Sequence, residues 1–140
     1  MRLLTRSLGN QLPERLQHLL DGSDLAKREG LTFLLLTTDE ASWPQVAMLS
    51  VGEIVAVDAS TFRAALWLHS STSKNLARVG RATLVMVDSG NGYYVRLNAR
   101  RGSDLDLGTD GRLAYFVLEI EEVQEDSTDY ATLTSGSPSV

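Results

Sequence analysis

The stretch Leu66–Val87, LWLHSSTSKNLARVGRATLVMV, decides the reading of this 140-residue chain. It continues an apolar run, Ala64–Leu68, that predicts a β-strand. Four hydroxyl side chains follow, Ser70, Ser71, Thr72 and Ser73. A helical segment is expected from Thr72 to Val79, stopped by Gly80. Ala82–Val87 then predicts a second strand, fully buried. The first N–H groups of a helix have no partner inside it and carry partial positive charge. With small hydroxyl donors and Lys74 beside them, this junction suits a phosphate. A serine that simply caps the helix gives the same pattern.

Working outward, the chain reads as strands. Leu31–Thr38 is a continuous apolar and β-branched run, expected as a buried strand. The turn Asp39–Pro44 leads to a strand Gln45–Val51 that Gly52 ends, with Pro44 placed where it cannot interrupt the ladder. Glu53–Val57 predicts a short strand and Phe62–Leu68 the next. Beyond the organising stretch, Asp88–Gly92 is dense in residues that tolerate positive φ. Tyr93–Arg101 alternates, with Tyr94, Arg96, Asn98 and Arg100 on one side and Tyr93, Val95, Leu97 and Ala99 on the other. Gly102–Gly111 is a polar loop, and Arg112–Val123 a closing strand with Ala114, Phe116, Leu118 and Ile120 in one register. Ahead of the strands, Leu12–Leu20 predicts a short helix with Pro13 in its first turn and Leu12, Leu16, Leu19 and Leu20 on one face. Ser23 is expected to cap a turn Asp24–Glu29 that Gly30 terminates. The domain is expected over residues 1–126, with a polar tail at 127–140. The runs LTFLLL, AALWL and ATLVMV are too apolar for a sheet wet on one side, so part of that surface must meet another element or another copy of the chain.

Composition removes several function classes. The chain has no cysteine, which excludes disulfides, thiolate metal sites and thiol nucleophiles. Two histidines, His18 and His69, are too few for most histidine-built metal centres, so no metal site is expected. A net charge of −5 argues against a general nucleic-acid binder. No apolar run approaches the ~20 residues of a membrane span, and the N-terminus lacks a signal-peptide core. A cytoplasmic, soluble protein is the expectation. Neither Gly-x-Ser-x-Gly nor a Gly-rich nucleotide fingerprint is present.

Ser70-Ser71-Thr72-Ser73-Lys74-Asn75-Leu76, with Arg81 and the strand ATLVMV after it, resembles the FMN-binding split-barrel family related to pyridoxamine 5′-phosphate oxidase. There a strand ends in Ser-Arg-Lys-x-x-Asn-Leu, and a helix, a basic residue and an apolar strand follow. Ser70, Asn75 and Leu76 match, while Ser71 and Thr72 stand at the two basic places. The likeness takes in the hairpin Leu31–Val51 and the strand Tyr93–Arg101, most of the chain from Leu31 to Glu122. It implies a mainly β fold with short helices (α+β), a small antiparallel split β-barrel. It also implies a homodimer with flavin at the interface and an FMN-dependent oxidoreductase-like function of unknown substrate.

The resemblance puts the phosphate at Ser70, Ser71, Thr72, Ser73, Lys74 and Asn75, with Lys74, Arg78 or Arg81 supplying charge. It puts the isoalloxazine ring along Ala47, Met48, Leu49, Ser50 and Val51, with Trp67 and His69. Gln45 or Val46 stands where pyridoxamine phosphate oxidases carry an Arg, which argues against that particular reaction. Trp67 as core and His69 as a plain strand-end residue are the competing readings. Arg96 and Arg100, with Arg101 adjacent, face either an anion or the acidic residues Glu119 and Glu121. Two other readings stay open: a non-catalytic flavin- or haem-binding barrel, or one without cofactor, and an F420-dependent reductase.

Overall fold

The structure is a computed structural model that describes residues 3–23 and 31–128. The turn expected at Asp24–Glu29 and residues 129–140 of the expected tail lie outside the described residues. The elements run β1 (Leu3–Ser7), α1 (Glu14–Leu20), β2 (Thr32–Thr38), β3 (Pro44–Ser50), β4 (Ile54–Ala56) and β5 (Thr61–Trp67). They continue as α2 (Ser71–Val79), β6 (Arg81–Asp88), β7 (Asn91–Arg101), β8 (Leu105–Asp106), a 3-10 turn (Gly108–Asp110) and β9 (Arg112–Thr128). All strand pairs are antiparallel, in the order β3-β2-β6-β7-β9-β5-β4, with β1 and β8 also on β9. The sheet curls into a half-barrel around a core of Phe62, Phe116, Leu35, Leu84, Leu97, Leu118 and Val95, all fully buried. The mainly β split-barrel expectation holds.

β9 is the spine. Along Phe116–Asp126 it pairs with β7, and it carries β5 over Leu113–Glu119 and β1 over Gln124–Thr128. Between these last two the ladder is continued by loop carbonyls: Ile120 N–H donates to Ser60 O at 2.9 Å and Val123 N–H to Gly9 O at 2.8 Å. Arg96 pairs with Glu122 but Leu97 with Ile120, so Glu121 is an extra residue, a β-bulge. Ala114, Phe116, Leu118 and Ile120 are buried before it, in the expected register; after it the inward phase moves to Val123.

The strand runs longer than expected, to Thr128 rather than Val123, because its polar last residues pair with β1. Leu3–Ser7 carried no strand expectation, and its partner lies more than a hundred residues away in the chain. Two carboxylates fasten this arm. Glu125 accepts from Arg6 Nε at 2.8 Å and from the Tyr93 hydroxyl at 2.8 Å. Asp126 accepts from Thr5 Oγ1 at 2.9 Å and from the Tyr94 hydroxyl at 2.7 Å. The Tyr93 hydroxyl, followed by the Arg6 guanidinium, holds the Glu125 carboxyl below its usual range, against an opposing effect of burial. Burial and then Glu125 push Tyr93 up, while Tyr94 is raised first by its bond to Asp126 and then by burial.

Burial is one-sided. β2 and β6 alternate buried and partly exposed residues, so the strand expected at Ala82–Val87 is not fully buried. Ala82, Leu84 and Met86 face the core, whereas Val85 and Leu34, cross-strand neighbours, lie on the outer face. With the described residues in place, Val85 is half-buried and Leu34 is 36% exposed. α1 contributes Leu16 and Leu20 to the core together with Leu12 just ahead of it, while Leu19 is half-buried. It begins at Glu14 rather than Leu12, because Leu12 N–H is bonded to Ala59 O at 2.7 Å and Pro13 is extended.

α2 forms where the sequence places it. Ser70 caps it, Leu76 is its core anchor, and Gly80 ends it at φ 73°, donating to Leu76 O at 2.9 Å. The buried Asn75 amide pins the helix to the sheet: Nδ2 donates to Thr37 Oγ1 of β2 at 3.1 Å and to Gln45 Oε1 of β3 at 2.7 Å. Its carbonyl accepts from Arg78 at 3.3 Å, and Arg78 also donates to Thr38 O.

Two outcomes follow from these bonds. Asn75→Ala strands Thr37, Gln45 and Arg78 together and should cost about 1–3 kcal/mol in a denaturant titration. For the arm, a lowered Glu125 carboxyl contributes stability that is present at neutral pH and lost as pH falls through its depressed value. The raised tyrosines act at the other end, their contribution being lost as pH rises through their raised values. Hydrogen exchange at residues 4–8 should therefore accelerate in acid before that of β5 or β7, and Glu125→Gln should flatten this acid dependence.

Candidate functional site

Three hydroxyl and carbonyl groups close the start of α2 on itself. Ser73 N–H donates to Ser70 Oγ at 3.1 Å, the Ser70 hydroxyl donates to Ser73 Oγ at 3.0 Å, and the Ser73 hydroxyl donates to Trp67 O at 2.7 Å. Ser73, Thr72 and Asn75 are buried, whereas Ser71 and Lys74 are exposed. The N–H groups of Ser71 and Thr72, first in the helix, find no partner among the described residues. An anion at this point would meet two backbone donors, the Ser71 hydroxyl and Lys74.

The sequence-predicted residues fall into two clefts, one on each side of that helix start. A cleft of about 390 Å³ has Ser71, Lys74, Asn75 and Arg78 on one wall, and Gln45 with the loop Asp39, Glu40 and Ala41 on the other. A cleft of about 450 Å³ holds Trp67, His69 and Ser70 against Asp110, Gly111 and Arg112. Trp67 is 59% exposed, so its side chain is not core. Gly111, at φ 108°, lets the loop lie on the indole; a Cβ there would stand 3.3 Å from Trp67 Cζ3.

β3 brings the remaining predicted residues. It ends the sheet order, so among the described residues its outer edge carries no strand. Ser50 N–H donates to Glu53 Oε1 at 3.0 Å and Ser50 O accepts from Glu53 N–H at 3.2 Å, so both groups face away from β2. Main-chain groups two residues apart point the same way, which leaves Met48 N–H and C=O and the Val46 groups open on that edge. Met48 and Val46 also expose apolar side chains, at 70% and 57%. Leu49 is buried in the core and Ala47 packs against it, so these two offer a ligand no side chain of note. Val51 is half-buried and bridges to Ile54.

The basic residues of β7 are engaged: Arg96 with Glu122 at 3.3 Å, Arg100 with Glu119 at 3.7 Å, and Arg101 with Asp104 at 2.6 Å. Arg81 and Arg96 line a groove of about 630 Å³ with Thr83, Asn98 and Glu121, which extends to Thr37 and Thr38, the residues that Asn75 and Arg78 bond. Sequence reasoning missed Asp39, Glu40, Asp110 and Arg112. Asp39, Glu40 and Asp110 arrive from turns or loops and Arg112 from the first position of β9, and no local pattern announces their approach to α2. No helix among the described residues is long and apolar enough to cross a membrane.

No protein-family profile matches the chain. The uncharacterized protein YclD of Bacillus subtilis is 39% identical over 127 residues, 91% of this chain and 82% of YclD. Among solved structures, a candidate pyridoxamine 5′-phosphate oxidase of Lactobacillus delbrueckii superposes with a TM-score of 0.65 at 23% identity, covering 84% of this chain and 98% of that one. HupZ of Group A Streptococcus superposes with a TM-score of 0.62 at 14% identity, covering 88% and 99%. The chain belongs to the same family as YclD and has the split-barrel fold of the FMN-binding proteins related to pyridoxamine 5′-phosphate oxidase.

Proposed function

We propose that this protein binds FMN as an oxidoreductase-like homodimer, with the isoalloxazine ring along the open edge of β3 and the phosphate at the start of α2. The observation that carries the reading is the 2.7 Å bond from Asn75 to Gln45. It fixes a helix start with unpaired N–H groups beside a strand edge with unpaired main-chain groups. A planar heterocycle with a polar rim needs such an edge, together with apolar surface for its faces. Met48, Val46 and Trp67 provide exposed apolar surface, and the main chain of Val46 and Met48 provides donors and acceptors. The residues present fit the group.

Bound flavin supplies the electron transfer itself. The chain's own part is to hold the ring edge through β3, to keep the helix start in register through Asn75, and to exclude water with Trp67 and the loop at Gly111. The outer sheet face completes the reading. Leu34, Val46 and Met48 are exposed there. Burying each such side chain is worth about 1.5–3 kcal/mol, which favours a second copy of the chain on this face. On its flank Arg96 and Glu122 pair within the chain at 3.3 Å.

Flavin fluorescence titrated with purified protein should be quenched to a stoichiometry of about one FMN per chain, and sedimentation should give a dimer. Trp67→Ala should weaken FMN binding by roughly tenfold without lowering the melting temperature, because the indole is largely exposed. Absence of quenching, or uptake of haem or F420 instead of FMN, would overturn the assignment.

A further inference from the structure

Both clefts beside the start of α2 are charge-balanced. In one, Lys74 and Arg78 face Asp39 and Glu40. In the other, Arg112 stands with Asp110. Of these cations, Arg78 is not free to close on an anion. Arg78 spends one nitrogen on Asn75 Oδ1 and another on Thr38 O. The Ser70 and Ser73 hydroxyl protons are committed within the cap. Asp39 is fixed in place, with Oδ1 accepting from the N–H groups of Ala41 and Trp43 at 2.9 Å each. Its charge cannot swing away from the cleft.

A phosphate at this point gains Lys74 and two backbone donors but meets two carboxylates across the cleft. A terminal alcohol meets the same donors, and it can also donate to the Glu40 carboxylate, which an ionised phosphate cannot do. We propose that the site does not select for the 5′-phosphate: it recognises flavin by ring and ribityl chain, and riboflavin and FMN are equivalent ligands. This rests on the flavin reading above and adds to it a ligand class, the dissociable flavin of either form.

The test is a pair of quenching titrations with riboflavin and FMN, at low and high salt. The two dissociation constants should lie within about threefold, since neutral donors serve both end groups. The FMN value should be insensitive to salt, since no net charge is met. A preference for FMN beyond about tenfold, the sign of charge-assisted anchoring, would overturn the inference and leave the flavin reading standing. Binding of neither flavin would overturn the flavin reading itself. Glu40→Lys, at an exposed turn position, should move the ratio toward FMN by roughly tenfold. An unmoved ratio in a variant of unchanged melting temperature would count against the inference.

Discussion

The fold depends on one long hydrogen-bond ladder. β9 is bonded to four other strands, and where no strand reaches it the carbonyls of Gly9 and Ser60 take its N–H groups. A buried strand with unpaired main-chain groups would be costly, and this one has partners along its length. The arrangement brings the first described strand and the middle of the chain onto the last described strand. β5 delivers Trp67 and the start of α2 from one side of β9, while β7 and β6 lead on to β2 and β3. The clefts at α2 sit where the two routes meet again, joined by the Asn75 amide. Pairing around β9 and the position of the candidate site are thus the same constraint.

A consequence is that the described residues present two different kinds of surface. The edge of β3 is polar in its main chain and apolar in its side chains, whereas the outer face of β2 and β6 is apolar with a charged flank. Exposed strand edges usually carry Lys, Pro or a bulge that prevents further pairing. β3 has Pro44, which lacks an N–H, at its beginning and the Glu53 carboxylate on Ser50 at its end, so among the described residues the open N–H groups of this edge are those of Val46 and Met48. The open length is short, suited to a small heterocycle and too short for another strand of ordinary length.

Much of this was legible in the sequence. The helix between Ser70 and Gly80 is fixed by local chemistry, a capping hydroxyl at one end and a left-handed glycine at the other, so its bounds were readable to a residue. The alternation of β7 and the register of Ala114, Phe116, Leu118 and Ile120 were equally local. What was not legible depends on distant pairs. Leu3–Ser7 and Gln124–Thr128 are each too polar to read as strands and become so only against each other. The run Ala82–Val87 read as buried on both faces because composition reports apolarity without saying what covers it. The acidic residues of the clefts had the same difficulty. Asp39, Glu40 and Asp110 look like ordinary turn residues, and only the folded chain sets them opposite Lys74, Arg78 and Arg112.

The bulge at Glu121 gives β9 a phase boundary. Upstream residues of even number face inward, and downstream residues of odd number do. A change of length is therefore absorbed at one place and not at others. Loss of Glu121 itself would leave Ile120 and Val123 two positions apart, on one face of an unbroken ladder. Loss of a residue beyond the bulge, between Val123 and Glu125, would instead shift Glu125 against Arg6 and Tyr93 and undo the fastening of the N-terminal arm. Among relatives of this chain, insertions and deletions should accordingly gather in the loops and at the bulge, and the spacing between Val123 and Glu125 should be kept.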